Sequence, residues 1–532
     1  MRPLGVELAA MLADRGVDTI FGIPGVHNIE LYRGIEEAGI RHVLARHEQG
    51  VGFMADGYAR ATGKPGVCFV ISGPGLTNIM TPMGQAYSDS VPMLVISTVL
   101  DETVARKGQL HQMRDQEGAA ATVCDWSATA QNAEAAYRLV DQALTEFAIH
   151  RPRPKQISLP IRVVGGPAKP FPRNKAATLI RANVDTTDIV PILANATRPL
   201  FIFGGALAKN PESAAIIGRI LDTIPAASFT TYAGRGLVAP DRPLHFGAHL
   251  AKPQSADILA TSDVVIAIGT ELAQVDHWRD ALGDTGVRIR VDIDPAVLAS
   301  DTRASFRINA DGGDFLASLE RALTTQAIAK PLTSNWAAAE VSQTRKVWRV
   351  EIASHNPAIA QSCEALRDAL PKDTMIFSDM TQFAYAAKEL WDMPTPGHWH
   401  HPNGFGTLGY ALPAAIGGAL GHHGPTLAIA GDYGFQYTMQ ELGTAAELDL
   451  SLPILIWDNE ALGEIRDNMV AAQIVPKAVH AVNPNWQHLA AAYGCAYAAP
   501  KTTADLCQAT TDAFSAGRPT LIIATPEISS SS

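Results

Sequence analysis

The first and last thirds of this 532-residue chain read as two copies of one unit. Gly57-Tyr58-Ala59, beside an apolar helical stretch, echoes Gly409-Tyr410-Ala411. The strand-like run entering Ser72-Gly73-Pro74-Gly75 echoes the run entering Gly431-Asp432. Ser90-Val91-Pro92-Met93-Leu94-Val95-Ile96 echoes Ser451-Leu452-Pro453-Ile454-Leu455-Ile456. The offset between equivalents runs from 352 (409 against 57) to 361 (451 against 90). Such a repeat limits the fold to paired copies of one supersecondary arrangement. Two similar units with different polar endings suggest a ligand held between them.

Short apolar runs alternate with helical patterns throughout, the signature of parallel sheets covered by helices. The length exceeds what one core supports and implies about three domains. We expect an α/β protein with a first domain at 1–168, a middle domain at 186–328 and a third at 350–528. Residues 165–188 form a linker marked by Gly165-Gly166-Pro167, Pro170 and Pro172. The middle unit has strands at Pro199–Phe203, Val264–Ile268 and Arg290–Ile293 and is Rossmann-like. Residues 325–355 form a polar, helix-prone bridge, and Ser529–Ser532 a frayed tail.

Bulk numbers narrow the function. Net charge is −11 with no basic run, so a nucleic-acid role has no electrostatic basis. No apolar run of membrane length occurs, and Glu7 sits where a signal peptide needs apolar residues. The five cysteines, Cys68, Cys124, Cys363, Cys495 and Cys507, are scattered without a CxxC pair. They read as reduced thiols in a cytoplasmic protein.

Chemistry concentrates where apolar runs end. Gly431-Asp432-Tyr433-Gly434 follows one such run, and Asn459 ends another 27 positions after Asp432. A carboxylate and an amide oxygen at one sheet edge are ligands of the kind Mg²⁺ prefers, with a diphosphate supplying further oxygens. Glycine-flanked strand-to-helix turns also let backbone N–H groups approach phosphate. In the first unit, Arg46-His47-Glu48-Gln49-Gly50 precedes Met54–Gly63, the strand Gly66–Ile71 and the turn Ser72–Asn78.

These stretches resemble the thiamine diphosphate-dependent acetolactate synthase-like and 2-oxo acid decarboxylase family, and the resemblance extends over essentially the whole chain. It implies a thiamine diphosphate-binding fold, with the pyrimidine on the first unit of one subunit and the diphosphate and Mg²⁺ on the third unit of another. A homodimer or homotetramer follows. The signature departs from the family's Gly-Asp-Gly…Asn-Asn at Tyr433 and Asp458. If that second glycine serves a positive φ, Tyr433 is strained; if it serves only space, Tyr433 turns away. Asp458 is read as a cap on the next turn.

By the same resemblance, Glu48 is the carboxylate that favours the imino tautomer of the aminopyrimidine. Gly406-Thr407-Leu408-Gly409 supplies the wedge, Leu408, and a pyrimidine-binding carbonyl, Gly406. Thr381 and Gln382, after Asp379, are donors on the diphosphate side. Metal ligands are Asp432, Asn459 and the carbonyl of Ala461. The cofactor is also bordered by Pro24, Pro74, Asn78, Gly431, Tyr433, Gly434, Leu462 and Gly463. His111 matches the first histidine of the family's catalytic His-His segment and is a proton-transfer candidate; a surface histidine without a role is its alternative. Val26, His27, Gln112, Glu464, Asp467 and Asn468 border the substrate. The last three are spaced i, i+3, i+4 and share one helix face, where they pair with a cationic substrate or simply favour the helix N-terminus.

The middle domain has Gly204-Gly205 rather than a dinucleotide fingerprint. Gly269-Thr270-Glu271 stands where the synthases carry their flavin-binding stretch, so no flavin is expected. Asp292 and Asp294 touch a ribose or cap the helix near Pro295. Within the family the likeness is greatest to decarboxylases of 5-guanidino-2-oxopentanoate, carried by Phe21–His27, Arg46–Gly50, Gly269–Glu271 with Trp278-Arg279, Asp379–Gln382 and Ala461–Asp467. The expected reaction is decarboxylation of a 2-oxo acid with a polar or cationic far end to an aldehyde and CO₂. The alternatives are a carboligase of acetolactate synthase type and a cofactor-free structural or regulatory homologue.

Overall fold

The computed structural model describes residues 1–102, 107–173, 179–325 and 333–529; the expected middle-domain boundary at 328 and Ser530–Ser532 lie outside them. Strand β1 (Arg2–Pro3) opens the chain. The first sheet then uses β2 (Thr19–Gly22), β3 (Arg41–Leu44), β4 (Gly66–Val70), β5 (Met93–Val99), β6 (Trp126–Thr129) and β7 (Lys155–Pro160) in the order β3-β2-β4-β5-β7-β6. Strand β8 (Pro167–Ala168) pairs antiparallel with β1, which ties the start of the linker to the first unit.

The middle unit is a five-stranded parallel sheet. It contains β9 (Pro199–Phe203), β10 (Ala227–Thr230), β11 (Val264–Ile268), β12 (Val287–Asp292) and β13 (Phe306–Asn309), ordered β10-β9-β11-β12-β13. The third unit has β14 (Met375–Ser378), β15 (Trp399–His400), β16 (Thr426–Gly431), β17 (Pro453–Trp457), β18 (Ala496–Ala498) and β19 (Thr520–Ala524), ordered β15-β14-β16-β17-β19-β18. First and third sheets therefore share one strand order: second, first, third, fourth, sixth, fifth. Central strands such as β4 and β17 are buried at every residue, which is why they read as unbroken apolar runs rather than alternating ones.

The structure corrects the register of the repeat. Gly57 lies inside the helix Glu48–Thr62, whereas Gly409 is a turn residue at φ 81° before the helix Ala411–His422. Counted from the strands that follow, the offset is 360 (Gly66 against Thr426), so Gly417 is the equivalent of Gly57. Those two glycines are where the copies meet. A Cβ on Gly57 would lie 1.9 Å from the Ala414 carbonyl oxygen, and a Cβ on Gly417 would lie 1.9 Å from that of Met54. Met54 and Ala414 are themselves 360 apart, so the crossing is reciprocal.

Polar contacts lock the same interface. The Tyr410 hydroxyl donates to Asp56 at 2.7 Å, the Thr407 hydroxyl donates to Gln85 at 3.1 Å, and the Gly404 amide donates to Asp89 at 2.9 Å. The 325–355 bridge contains the helix Ala338–His355. It packs Trp348 near Phe229 and Phe246 of the middle unit, while Arg349 pairs with Asp392 of the third at 3.1 Å.

The middle unit docks on the first through ions. Arg151 donates to both oxygens of Asp292, at 2.7 and 2.8 Å, and Arg153 donates to Glu271 at 2.7 Å. Asp294 accepts from the Ala296 amide at 2.9 Å, the capping role expected for it. Among the described residues no helix is long and apolar enough to cross a membrane.

Gly417→Ala should destabilise the protein by about 1–3 kcal/mol or more, because the new methyl group meets backbone rather than a side chain that can rotate away. Denaturant unfolding checks this; an unchanged midpoint would mean the helices can separate freely.

Candidate active site

In the first unit, candidate residues gather beyond the ends of β2 and β4. Glu48 is the first residue of its helix, directly after the N-cap His47, whose ring accepts from the Gln49 amide at 3.0 Å. Half-buried Glu48 accepts a hydrogen bond from Asn78 at 2.9 Å. Asn78 lies on the helix Pro74–Ser88, which has Pro74 in its first turn. The loop bearing Pro24 and Val26 is pinned by Asn28, which accepts from the Gly25 amide at 2.7 Å and donates to the Ile23 carbonyl at 3.2 Å.

His27 bonds Ser72 through Nδ1 at 2.8 Å, and its ring meets that of His111 edge-on at 4.9 Å. Burial, then the neighbouring His111, hold His27 below the usual histidine range. His111 has φ 62°, and its carbonyl oxygen would lie 2.5 Å from a Cβ on Gly73. Gly73 itself has φ 66°, so this turn needs glycine on both counts. Gln112, next along, accepts from the Gln109 amide at 3.3 Å.

In the third unit, a cavity of about 220 Å³ opens beyond β14, β16 and β17. It is lined by Thr381, Gln382, Gly406, Leu408, Gly431, Asp432, Tyr433, Gly434, Asn459, Ala461, Leu462, Gly463 and Glu464. Sequence reasoning missed three further wall residues, Met380, Tyr385 and Ile465. The helices Gln382–Leu390 and Gly463–Ala471 and the short turn Asp432–Phe435 all begin at this cavity. Their free N–H groups and dipoles favour an anion there. Gly406 and Gly409, at φ 67° and 81°, shape the loop carrying Leu408, and buried Asp379 accepts from the Gly409 amide at 2.9 Å. Burial pushes Asp379 up to about 6 against those amide bonds.

Asp432 is buried, and burial first, then the nearby Asp458, push its carboxyl up to about 6 against the Asn483 hydrogen bond. The Asn483 amide nitrogen donates to Asp432 at 2.7 Å and to Asp458 at 2.8 Å. Trp486 also donates to Asp458, at 2.7 Å. Asp458 accepts from the Glu460 amide at 3.3 Å, the turn-capping role expected of it. Asn459 accepts from the Ala461 amide at 3.1 Å and donates to Gln382 at 3.0 Å. Among the described residues no group of three or more His, Cys, Asp and Glu side chains converges. A metal here would rely on the Asp432 carboxylate with the Asn459 amide and Ala461 carbonyl oxygens. That hard-oxygen set, beside three inward helix starts, fits a divalent cation carrying a diphosphate. A Cβ on Gly463 would sit 2.5 Å from Gln382 and 2.8 Å from Asn459, so this wall is as close as glycine allows.

Tyr433 takes a helical conformation and is absent from the positive-φ positions. Its ring meets Tyr437 edge-on at 5.9 Å. The position therefore needs no glycine for backbone reasons. Of the three substrate-side candidates on the next helix, only Glu464 lines the cavity. Asp467 is bound to Arg466 at 2.9 Å and accepts from Gln382 at 3.2 Å; Asn468 lies further along, exposed. Among the described residues no arginine, lysine or histidine pairs with Glu464, and its charge raises the Tyr385 hydroxyl further after burial. Among the described residues none of the first unit lines the cavity, and no hydrogen bond joins it to the Glu48–Asn78 pair.

Two repeated α/β units, a carboxylate beside one and an anion-seeking, oxygen-lined cavity in the other, define a class, and comparison with known proteins shows the same. The chain belongs to the thiamine pyrophosphate enzyme family: residues 4–119 match its N-terminal TPP binding domain, 186–319 its central domain and 379–524 its C-terminal TPP binding domain. It is 44% identical to the probable 2-ketoarginine decarboxylase AruI of Pseudomonas aeruginosa, covering 94% of this chain and 90% of that one. It is 27% identical to the acetolactate synthase isozyme 2 large subunit of Escherichia coli, over 91% and 88% of the two chains.

Tyr433→Gly tests the unstrained reading. It should lower stability by about 0.5–1 kcal/mol, the ordinary cost of glycine in a helical turn, in denaturant unfolding. A gain in stability would show that tyrosine is strained there after all.

Proposed function

We propose that this chain is a thiamine diphosphate- and Mg²⁺-dependent decarboxylase of a 2-oxo acid with a cationic far end. The observation that carries it is the unpaired Glu464 carboxylate on the wall of the diphosphate-side cavity, and the 44% likeness to a probable 2-ketoarginine decarboxylase supports it. Bound thiamine diphosphate would supply a nucleophilic carbon and a sink for the electron pair released with CO₂.

The chain's own residues do the rest. Asp432, Asn459 and the Ala461 carbonyl would hold Mg²⁺, and the helix starts at Gln382 and Gly463 would face the diphosphate. Leu408 would separate the two rings. Glu48, steadied by Asn78, would hold a proton on the aminopyrimidine nitrogen. His27 and His111, edge to edge, would pass a proton to or from the reacting carbon; the depressed His27 keeps one ring neutral and able to accept. Glu464 would face the guanidinium, with the apolar side chains of Leu462 and Ile465 excluding water around it.

Since no described residue of the first unit lines the cavity, we infer that the site closes between two copies. Exposed Val26 and Leu110 beside the first cluster, and exposed Ile465 on the cavity wall, support this.

Purified protein with Mg²⁺ and thiamine diphosphate should release CO₂ and free aldehyde from 5-guanidino-2-oxopentanoate. A condensed hydroxyketone instead would make it a carboligase. Glu48→Gln and Asp432→Ala should each be nearly inactive alone. Unfolded and refolded together, they should recover about a quarter of wild-type turnover, since half the dimers are hybrids with one intact site. No recovery would place both residues of a site on one chain.

Glu464→Gln should cut the kcat/KM preference for the guanidino substrate over an uncharged 2-oxo acid of equal length about tenfold, the worth of one charged hydrogen bond. Asp467→Asn should change it little, because Arg466 already neutralises that acid. An unchanged preference in Glu464→Gln means the acid does not read the substrate.

A further inference from the structure

Glu441 is a buried carboxylate that the reaction as described does not use. It belongs to the third unit, directly before the helix Leu442–Glu447, yet its partners lie in the first. It accepts from the Arg46 amide through both oxygens, each at 3.1 Å. It accepts from the His47 amide at 3.0 Å and from the Thr444 hydroxyl at 2.9 Å. These two amides belong to the link between β3 and the helix Glu48–Thr62. The fit extends one turn into that helix, where a Cβ on Gly50 would lie 2.3 Å from the Glu441 carboxylate. The same Thr444 hydroxyl, its one hydrogen shared with Glu441, also reaches the Leu44 carbonyl at 3.1 Å; the solvent-exposed pair between the Arg46 side chain and Glu447 lies outside this clamp.

We propose that Glu441 is a positioning residue for Glu48: from the third unit of the same chain, its carboxylate fixes the turn that aims the activating acid at the cofactor. Arg46 and His47 stand between a strand and a helix, where their amides have neither a ladder nor an intrahelical acceptor. The ionised carboxylate satisfies both at once and carries no donor of its own. Glutamine copies only part of this. Both oxygens touch the Arg46 amide, so an amide group would set N–H against N–H. Burial pushes the Glu441 carboxyl up to about 7, while the Arg46 and His47 amides, the Thr444 hydroxyl and the Arg46 charge all favour its ionised form. A small main-chain shift at His47 displaces Glu48 directly, and misplacement on that scale is costly for a group that must meet one ring nitrogen.

The inference rests on the reading of Glu48 given above, so its test needs no substrate. Amide hydrogen exchange of the full chain without cofactor should be about tenfold faster at Arg46 and His47 in Glu441→Gln, with strand Gly66–Val70 unchanged. With thiamine diphosphate and Mg²⁺ bound, exchange of the thiazolium C2 proton for deuterium, followed by NMR, should fall about tenfold at unchanged cofactor affinity. Glu447→Gln, which removes only the outer ion pair, should alter neither. If Glu441→Gln does not fold, Thr444→Val should show the same two changes, smaller. Unchanged amide exchange, or faster amide exchange with normal C2 exchange, overturns the proposal. Failure to decarboxylate any 2-oxo acid would sink the assigned reaction while leaving both readouts intact.

Discussion

Two helices touching backbone to backbone set the geometry of everything else. At Gly57 and Gly417 a side chain would be forced into the facing carbonyl, so the helices Glu48–Thr62 and Ala411–His422 approach as closely as peptide allows. Close approach multiplies dispersion contacts between two otherwise apolar surfaces. It also fixes what lies at the helix starts. One begins with Glu48; the other follows the turn carrying Gly406 and Leu408. The loop before each helix is then held by the opposite unit. Glu441 and Thr444 hold residues 44–47, and Gln85 and Asp89 hold residues 404–407. The repeat thus acts as a pair of mutual clamps, and each loop of the candidate site is only as rigid as the contact it makes with the other copy.

Much of this was legible because the buried strands carry apolar runs on both faces, and turn residues stand where those runs stop. Asp432, Asn459 and Glu48 follow such runs or the turns after them, so their placement came with the strands. The repeat register did not. Gly57-Tyr58-Ala59 and Gly409-Tyr410-Ala411 are identical tripeptides with unlike backbones, one inside a helix and one spanning a positive-φ turn and a helix start. Local identity carries no information about which contact a glycine makes.

What stayed hidden depended on chain returns. Asn483 reaches Asp432 from 51 positions away and Glu441 reaches Arg46 from 395; neither has a local pattern. Tyr385 follows Gln382 by three positions on one helix and so faces the cavity with it, a relation visible only once that helix start was known to face the site. Tyr433 looked like a defect because the family pattern has glycine there, but a helical φ suits any residue.

The electrostatics of the third-unit cavity contain one conflict. Helix starts at Gln382 and Gly463 favour an anion, yet Asp432 and Glu464 line the same cavity and Asp458 is tied to Asp432 through Asn483. Asp432 and Asp458 share a single Asn483 amide nitrogen, and burial first, then the Asp458 charge, push Asp432 up against that hydrogen bond. A divalent cation at Asp432 would offset that pair and join it to a diphosphate. Glu464 lies outside that balance. It gains from the dipole of its own helix but works against any nearby phosphate charge, and no protein cation faces it among the described residues. Asp467, three positions on, has Arg466. Of the two acids on this helix, the one without a counter-charge among the described residues is therefore the one on the cavity wall, and a substrate that brought its own cation would remove the conflict on binding.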